Sequence, residues 1–471
     1  MRKPIPFISN SGDSRSVVQK GTIVENLYIE ITEGGKYPAV LYRIPGISSA
    51  FTTAANPCRS NGVLFNGKFY FVAGGDVWEV DETEVPVSIG SVSTSSGRTL
   101  IVAGFDQIMI LDGVNGYSYD GTTFAIISDV NFPPNQTPAI TVSQGAYKDG
   151  FFLVIADGTG DVYKSALEDP TSWNGAELEN AEAQPDNLVA LHSTNDYLYL
   201  FGEYSTEAWY NAGLPNFPFK RAQGGVSSWG CRAPFSIAEG DNSIFFLGRT
   251  KEGGHEICKT SGATVQVIST PEISNLINNI KNDDAFAFIY MQEAHQFYVL
   301  TFPFAKKTVV YDLTNNTWTI RSSKDIGRWR PNGHVFYNNK HYVGDSANGD
   351  FYTLDMNTYT DNGDYIKYKV ITPDYHSNYT AVVFNELVLD IQGGVGTDDV
   401  DPQVMMRYSD DGGRTWSSEL WAGMGLSGDY SQKCFWDQLG ESYQRRFEFS
   451  GTDSFFTALL GVYASMSGSE F

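Results

Sequence analysis

Arginine, aspartate and aromatic residues at a few fixed spacings are the places where this chain could do chemistry. In Tyr42-Arg43-Ile44-Pro45 a guanidinium precedes a Pro-Gly turn, where it could grip a carboxylate through a bidentate pair. In Ser409-x-Asp411-x-Gly413-x-x-Trp416 the serine and aspartate are spaced to satisfy the backbone of a hairpin turn, with the indole packed beneath. Arg232 and Arg249 can be put forward beside Arg43, but nothing in their local sequence singles them out. His255 and Cys258 are three apart, too little for a metal centre and consistent with a hairpin between two strands. Asp398-Asp399-x-Asp401 offers oxygen ligands of the kind calcium takes, yet lacks the downstream pattern of an EF-hand and reads as a solvated loop. The basic cluster Arg321 to Arg330, with Arg328-Trp329-Arg330, could meet phosphate or stack on a base; such clusters more often form salt bridges at an interface. No Gly-x-Ser-x-Gly elbow, P-loop or His-Glu-x-x-His occurs. No catalytic residue, cofactor or cofactor-binding residue, or metal ligand is therefore expected.

Arg43-Ile44-Pro45 resembles the Arg-Ile-Pro signature of sialidases, and the Ser409 to Trp416 pattern matches their Asp-box. Sialidases repeat the Asp-box in several blades of a propeller, whereas the full pattern occurs here once, near the C-terminal end. The Asp-box is structural even in those enzymes, and the resemblance would further imply an arginine triad round the carboxylate, a tyrosine nucleophile and a glutamate that activates it. A sialidase-like glycoside hydrolase is thus the alternative reading and a non-enzyme the preferred one. The bland role for Arg43 is a surface arginine ahead of a turn.

The elements that must position these residues are short strands. Seven times a tight polar turn precedes an aromatic or aliphatic strand, and a second strand centred on Tyr or Trp follows. The turns are Asn66-Gly67, Gly97-Arg98, Asp149-Gly150, Asn195-Asp196, Gly240-Asp241, Ala294-His295 and Asn338-Asn339. Their spacings are 31, 52, 46, 45, 54 and 44 residues, mostly near the roughly 40–50 of a propeller blade. In the first unit Phe69, Phe71 and Ala73 face one way and Tyr70 and Val72 the other, as a strand's two-residue period requires. A small sheet of this kind cannot bury both faces alone, and radial stacking solves that. The expected fold is all-β: a β-propeller of six to seven blades, the count open by about one because a ring can close with strands borrowed from the two ends. An array of β-sandwiches without a ring fits the recurring period less well.

From about Gly363 the strands lengthen or alternate more clearly: Ala381 to Ile391, Gln403 to Tyr408, Arg446 to Phe449 and Leu459 to Tyr463. This reads as a separate C-terminal β-sandwich-like module. The domain expectation is an N-terminal segment 1–55, a propeller 56–362 and a sandwich 363–471. Pro271 to Asp283 is the best helix, with Thr270 as its cap.

The 471 residues, 14% aromatic and with 47 glycines, supply a large core and many turns. The formal charge of −23 disfavours adhesion to nucleic acid or anionic membrane. It fits either plain solubility or a surface that must not grip passing DNA. Cys58, Cys231, Cys258 and Cys434 are scattered, with no zinc spacing or disulfide framework. No secretory signal and no membrane span is visible, so a soluble protein made in a cytoplasm is expected.

Over nearly its whole length the chain resembles the packaged-DNA stabilization proteins, or tail nozzle proteins, of short-tailed bacteriophages. The resemblance is carried by Asn26-Leu27-Tyr28 followed by Arg43-Ile44-Pro45-Gly46-Ile47. It continues through Ala181-Glu182-Ala183-Gln184-Pro185-Asp186, Phe201-Gly202 and Glu207-Ala208-Trp209-Tyr210. Near the end come Gly394-Val395-Gly396, Asp411-Gly412-Gly413, Trp436, Leu439-Gly440 and Arg445-Arg446-Phe447. The resemblance implies a virion structural protein, assembled in the host cytoplasm as a homo-hexamer ring beneath the portal and its adaptor. Its implied partners are the portal adaptor protein, a tail needle or plug, and tailspikes or fibres. Genome DNA would pass an acidic lumen without sequence-specific binding and be held in until ejection.

Overall fold

The computed structural model describes residues 2–12, 21–32, 34–53, 56–181, 183–377 and 380–468. Six four-stranded antiparallel blades follow in order, spanning 63–91, 100–126, 145–180, 188–227, 230–267 and 286–321. The inner edge of the fifth is split between Gly230–Cys231 and Ala238–Gly240. The seventh takes three strands from 331–355 and its fourth from the other end of the chain: Gly46–Thr52 pairs antiparallel with Asp350–Asp355. The ring therefore closes through a borrowed strand, with seven blades among the described residues.

The sequence explains the stacking. A blade is covered on both faces, so its middle strands are buried throughout: Phe69, Tyr70, Phe71, Val72 and Ala73 are all in the core. Alternate residues serve opposite neighbours. Phe69, Phe71 and Ala73 pack with Phe51, Tyr342 and Phe351 of blade seven, while Tyr70 and Val72 pack with Ile108 and Ile110 of blade two. Similar clusters lie at the other five blade junctions.

One expected turn is misplaced. Gly97-Arg98 lies on the connection into blade two; the hairpin of that blade is Gly104–Gln107, where the Gly104 amide donates to the Gln107 carbonyl at 2.8 Å. Moving the turn there removes the short first spacing. The helix is Pro271–Asn278, shorter than expected, with the Thr270 hydroxyl accepting from the Ile273 amide at 3.4 Å. Asn278 ends it, donating from its side chain back to the Ser274 carbonyl and across to that of His255, both at 2.8 Å.

The C-terminal module is a two-sheet sandwich. One sheet runs Leu27–Ile31, Ala39–Arg43, Ala458–Gly468, Val382–Ile391, Cys434–Ser442, with Arg2–Ile5 also pairing on Ala458–Gly468. The other runs Ile23–Glu25, Tyr368–Ile371, Gln444–Gly451, Gln403–Ser409, Leu420–Gly423. Its first strand also pairs in parallel with the outer strand of blade six, Thr317–Arg321. Residues 1–55 thus supply strands and core side chains (Ile5, Phe7, Val24, Leu27, Ile29, Leu41) to the sandwich, and a strand to the propeller.

Candidate functional site

The strand Ala39–Arg43 delivers Arg43 to the seam between propeller and sandwich, where it is 3% exposed. Its guanidinium donates to the carbonyls of Ile366 at 2.7 Å, Phe455 at 3.0 Å and Asp453. The Tyr368 ring lies 5.5 Å away. Burial lowers the Arg43 pKa. The side chain ties three distant segments together and offers no free fork to a substrate carboxylate. Neither the surface role nor the substrate-gripping role holds.

Arg232 and Arg249 do not join it. Both lie in or beside blade five, where Arg249 donates to the Tyr204 hydroxyl at 2.6 Å and Arg232 to Asn282 at 3.2 Å. The Asp-box folds as expected of a structural turn. Asp411 accepts from the Arg414 and Thr415 amides at 2.8 and 2.9 Å, Ser409 accepts from the Gly413 amide at 2.8 Å, and Trp416 lies under the Arg407 guanidinium at 5.0 Å. These donors hold Asp411 well below the usual carboxylate range, the Thr415 hydroxyl contributing most.

His255 and Cys258 share the strand His255–Ser261, and an odd spacing sends their side chains to opposite faces. Among the described residues no group of three His, Cys, Asp or Glu side chains could hold a metal. Asp401 accepts from the Gly425 amide at 2.7 Å, so it orders its loop, while Asp398 and Asp399 are exposed.

The basic cluster turns inward. Arg330 pairs with Asp345 at 3.2 Å and Asp361 at 3.0 Å. Arg321 is fully buried against the rings of Trp329, Phe297 and Tyr290, 4.6, 5.0 and 5.2 Å from its guanidinium carbon. Within the cluster Arg330 and Lys324 form salt bridges, Lys324 with Asp364 at 3.0 Å, while Arg321 makes no ion pair among the described residues. Arg98 leaves the connection into blade two and reaches residues of blades six and seven. It lies 4.1 Å from the Phe286 ring of blade six and donates to the Asn332 carbonyl of blade seven at 2.5 Å. Burial, with Arg328 and Arg59 nearby, brings Arg98 down to about 10. Arg98 thus links the entry to blade two with blades six and seven.

Among the described residues, eight Lys and Arg side chains are buried against seven Asp and Glu. The buried charges of the described residues nearly cancel, so their acidic excess lies outside the core.

Several motifs have clear structural work. Glu207 accepts from the Trp209 indole at 2.8 Å and from the Ala183 amide at 2.9 Å. Asp186 accepts from the Tyr204 amide at 2.7 Å, closing the turn after Phe201-Gly202. Arg445 grips Asp410 with two bonds at 2.6 and 2.7 Å and lies over the Tyr408 ring. Glu182 falls outside the described residues. Sequence reasoning missed the seam, although the Tyr28, Glu30 and Tyr42 pattern on two adjacent strands was its visible signal.

Comparison with known proteins places these motifs. The family model described as the β-propeller of bacteriophage P22 Gp10 matches residues 5–359, and that of the Gp10 β-sandwich matches residues 367–467. The tail hub protein gp10 of Salmonella phage P22 is 22% identical over 298 residues, covering 59% of this chain. The chain spans about 59% of that curated relative's length. Among solved structures, the extracellular domain of a putative one-component system from B. thetaiotaomicron matches at 9% identity. It covers 88% of this chain and 58% of its own, with a TM-score of 0.44. The Neurospora crassa Pan2 WD40 domain matches at 8% identity over 66% of this chain and 95% of its own, with a TM-score of 0.41.

Proposed function

From the premise that the chain belongs to the bacteriophage P22 Gp10 family, we propose that it is a structural protein of a phage tail and not an enzyme. The observation that carries this is the match of both Gp10 models, in order, across propeller and sandwich. The P22 relative is a tail hub protein.

The finer reading is a tail nozzle located in the virion and assembled in the bacterial cytoplasm. A ring of copies, six in number, prolongs the channel of the portal and its adaptor, retains the packaged genome and conducts DNA at ejection. In this reading the lumen is enclosed by the ring of copies rather than by one propeller. An acidic excess outside the core supports this reading, because DNA phosphates are repelled and the genome can slide. The cross-domain tie at Arg43 suits a part that bears load. The needle or plug and the tailspikes or fibres would dock on the outer faces.

Genome retention is the direct test. Particles assembled without this chain should package DNA and then lose it, measured as nuclease-accessible DNA in purified heads. Heads that keep their DNA protected in its absence would remove the retention role.

A further inference from the structure

At the seam of blade six and the sandwich lies a cavity of about 430 Å³, walled by Tyr28, Tyr42, Tyr359 and Phe456 and edged by Glu30 and Glu293. Its geometry follows from the strands. Tyr28 and Glu30 are two apart on Leu27–Ile31 and project from one face, and Tyr42 stands directly opposite Tyr28 on the neighbouring strand. The Tyr28 and Tyr42 rings are 5.8 Å apart, and Phe456 extends the row at 6.0 Å from Tyr42. Glu293 enters from the propeller, on a left-handed turn residue (φ 46°) between Phe286–Gln292 and His295–Phe302.

Neither Glu30 nor Glu293 has a hydrogen-bond or ion-pair partner among the described residues. Their field shows in the neighbours. With burial as the larger cause, it raises the Tyr28 hydroxyl pKa; behind the Asp312 hydrogen bond, it helps raise that of His295. Arg43, the cation among the lining residues, spends its two Nη groups on backbone carbonyls behind the aromatic wall.

We propose that this cavity binds an organic cation, a primary ammonium or guanidinium group on a flexible stem. Aromatic faces carry negative charge density that attracts such a group, and the aliphatic stem lies along the rings while the head reaches the two carboxylates. The group comes either from a free polyamine or from a lysine or arginine side chain of an apposed protein.

The test uses the full chain labelled with [13C]methyl-methionine, because Met356 lines the cavity and reports on it by NMR. Probes are spermidine, a blocked Gly-Arg-Gly tripeptide, and its neutral citrulline counterpart. The Met356 signal should move with at least one cationic probe and stay still with the citrulline peptide. Spermidine alone moving it assigns a polyamine; the arginine peptide moving it assigns a protein side chain. The double variant Glu30→Gln/Glu293→Gln should bind about ten-fold more weakly or worse, with an unchanged melting profile. No movement with either cation, equal movement with citrulline, or undiminished binding by the double variant overturns the proposal.

Discussion

The Asn26 carboxamide exchanges hydrogen bonds with the backbone of Ser322, its Nδ2 donating to the Ser322 carbonyl at 3.0 Å and its Oδ1 accepting from the Ser322 amide at 3.0 Å. The same Nδ2 donates to the Lys367 carbonyl at 2.8 Å. One buried side chain thus joins the N-terminal segment, the last strand of blade six and the start of the sandwich. Its backbone is left-handed (φ 55°), a conformation asparagine tolerates better than most residues. Asn26→Ala strands buried backbone groups and strains the turn, and should cost about 2–3 kcal/mol in urea unfolding. Asn26→Gly keeps the backbone and loses the bonds, so it should be comparably unstable. A near-neutral Asn26→Gly would show that backbone conformation, not the tie, is what matters there.

Arg43→Met removes the donor shared by Ile366, Phe455 and Asp453. A loss of about 3 kcal/mol is expected, with Arg43→Lys failing to restore it because an ammonium lacks the planar fork. Limited proteolysis should then cut between propeller and sandwich, near residues 359–366. Full stability in the lysine variant would contradict the clamp.

Phe51, on the borrowed strand, stacks on Phe351 at 4.9 Å and 13°. Phe51→Ala should cost about 3–5 kcal/mol and raise hydrogen exchange in blades seven and one first. Exchange rising elsewhere while these blades stay protected would mean the ring does not open at its closure.

Asp411 has a depressed folded pKa, so its contribution is present above the unfolded value of about 4 and is lost as pH falls through the folded one. Asp411→Asn should lower the melting temperature at pH 7, and the gap from the parent chain should narrow below about pH 4. A gap independent of pH would mean that the charge is not what matters.

His295 carries the opposite sign. Its pKa is raised, chiefly by the Asp312 hydrogen bond at 2.7 Å, so its contribution is complete below about 6.5 and is lost as pH rises through the folded value. Melting temperature should fall across that window in the parent chain and stay level in His295→Gln. Parallel profiles would contradict this assignment.

The blade grammar was legible because a two-faced strand advertises itself: Phe69 to Ala73 divides between two neighbours as its alternation requires. The hairpin of blade two was not, since an exposed Phe105 sits in the turn and hides it among strand residues, while the polar Gly97-Arg98 resembles a hairpin turn. The closing strand Gly46–Thr52 reads as an unremarkable polar-apolar stretch whose partner lies some three hundred residues away. Arg43 misled for the same reason. Local sequence shows a guanidinium before a turn, and only the tertiary fold shows that the turn and its arginine are buried by the far end of the chain.

The most direct measurement is to label intact phage particles with an antibody to this chain and image them. Label at the tail vertex, with several copies per particle, is expected. Particles that carry no label would contradict it.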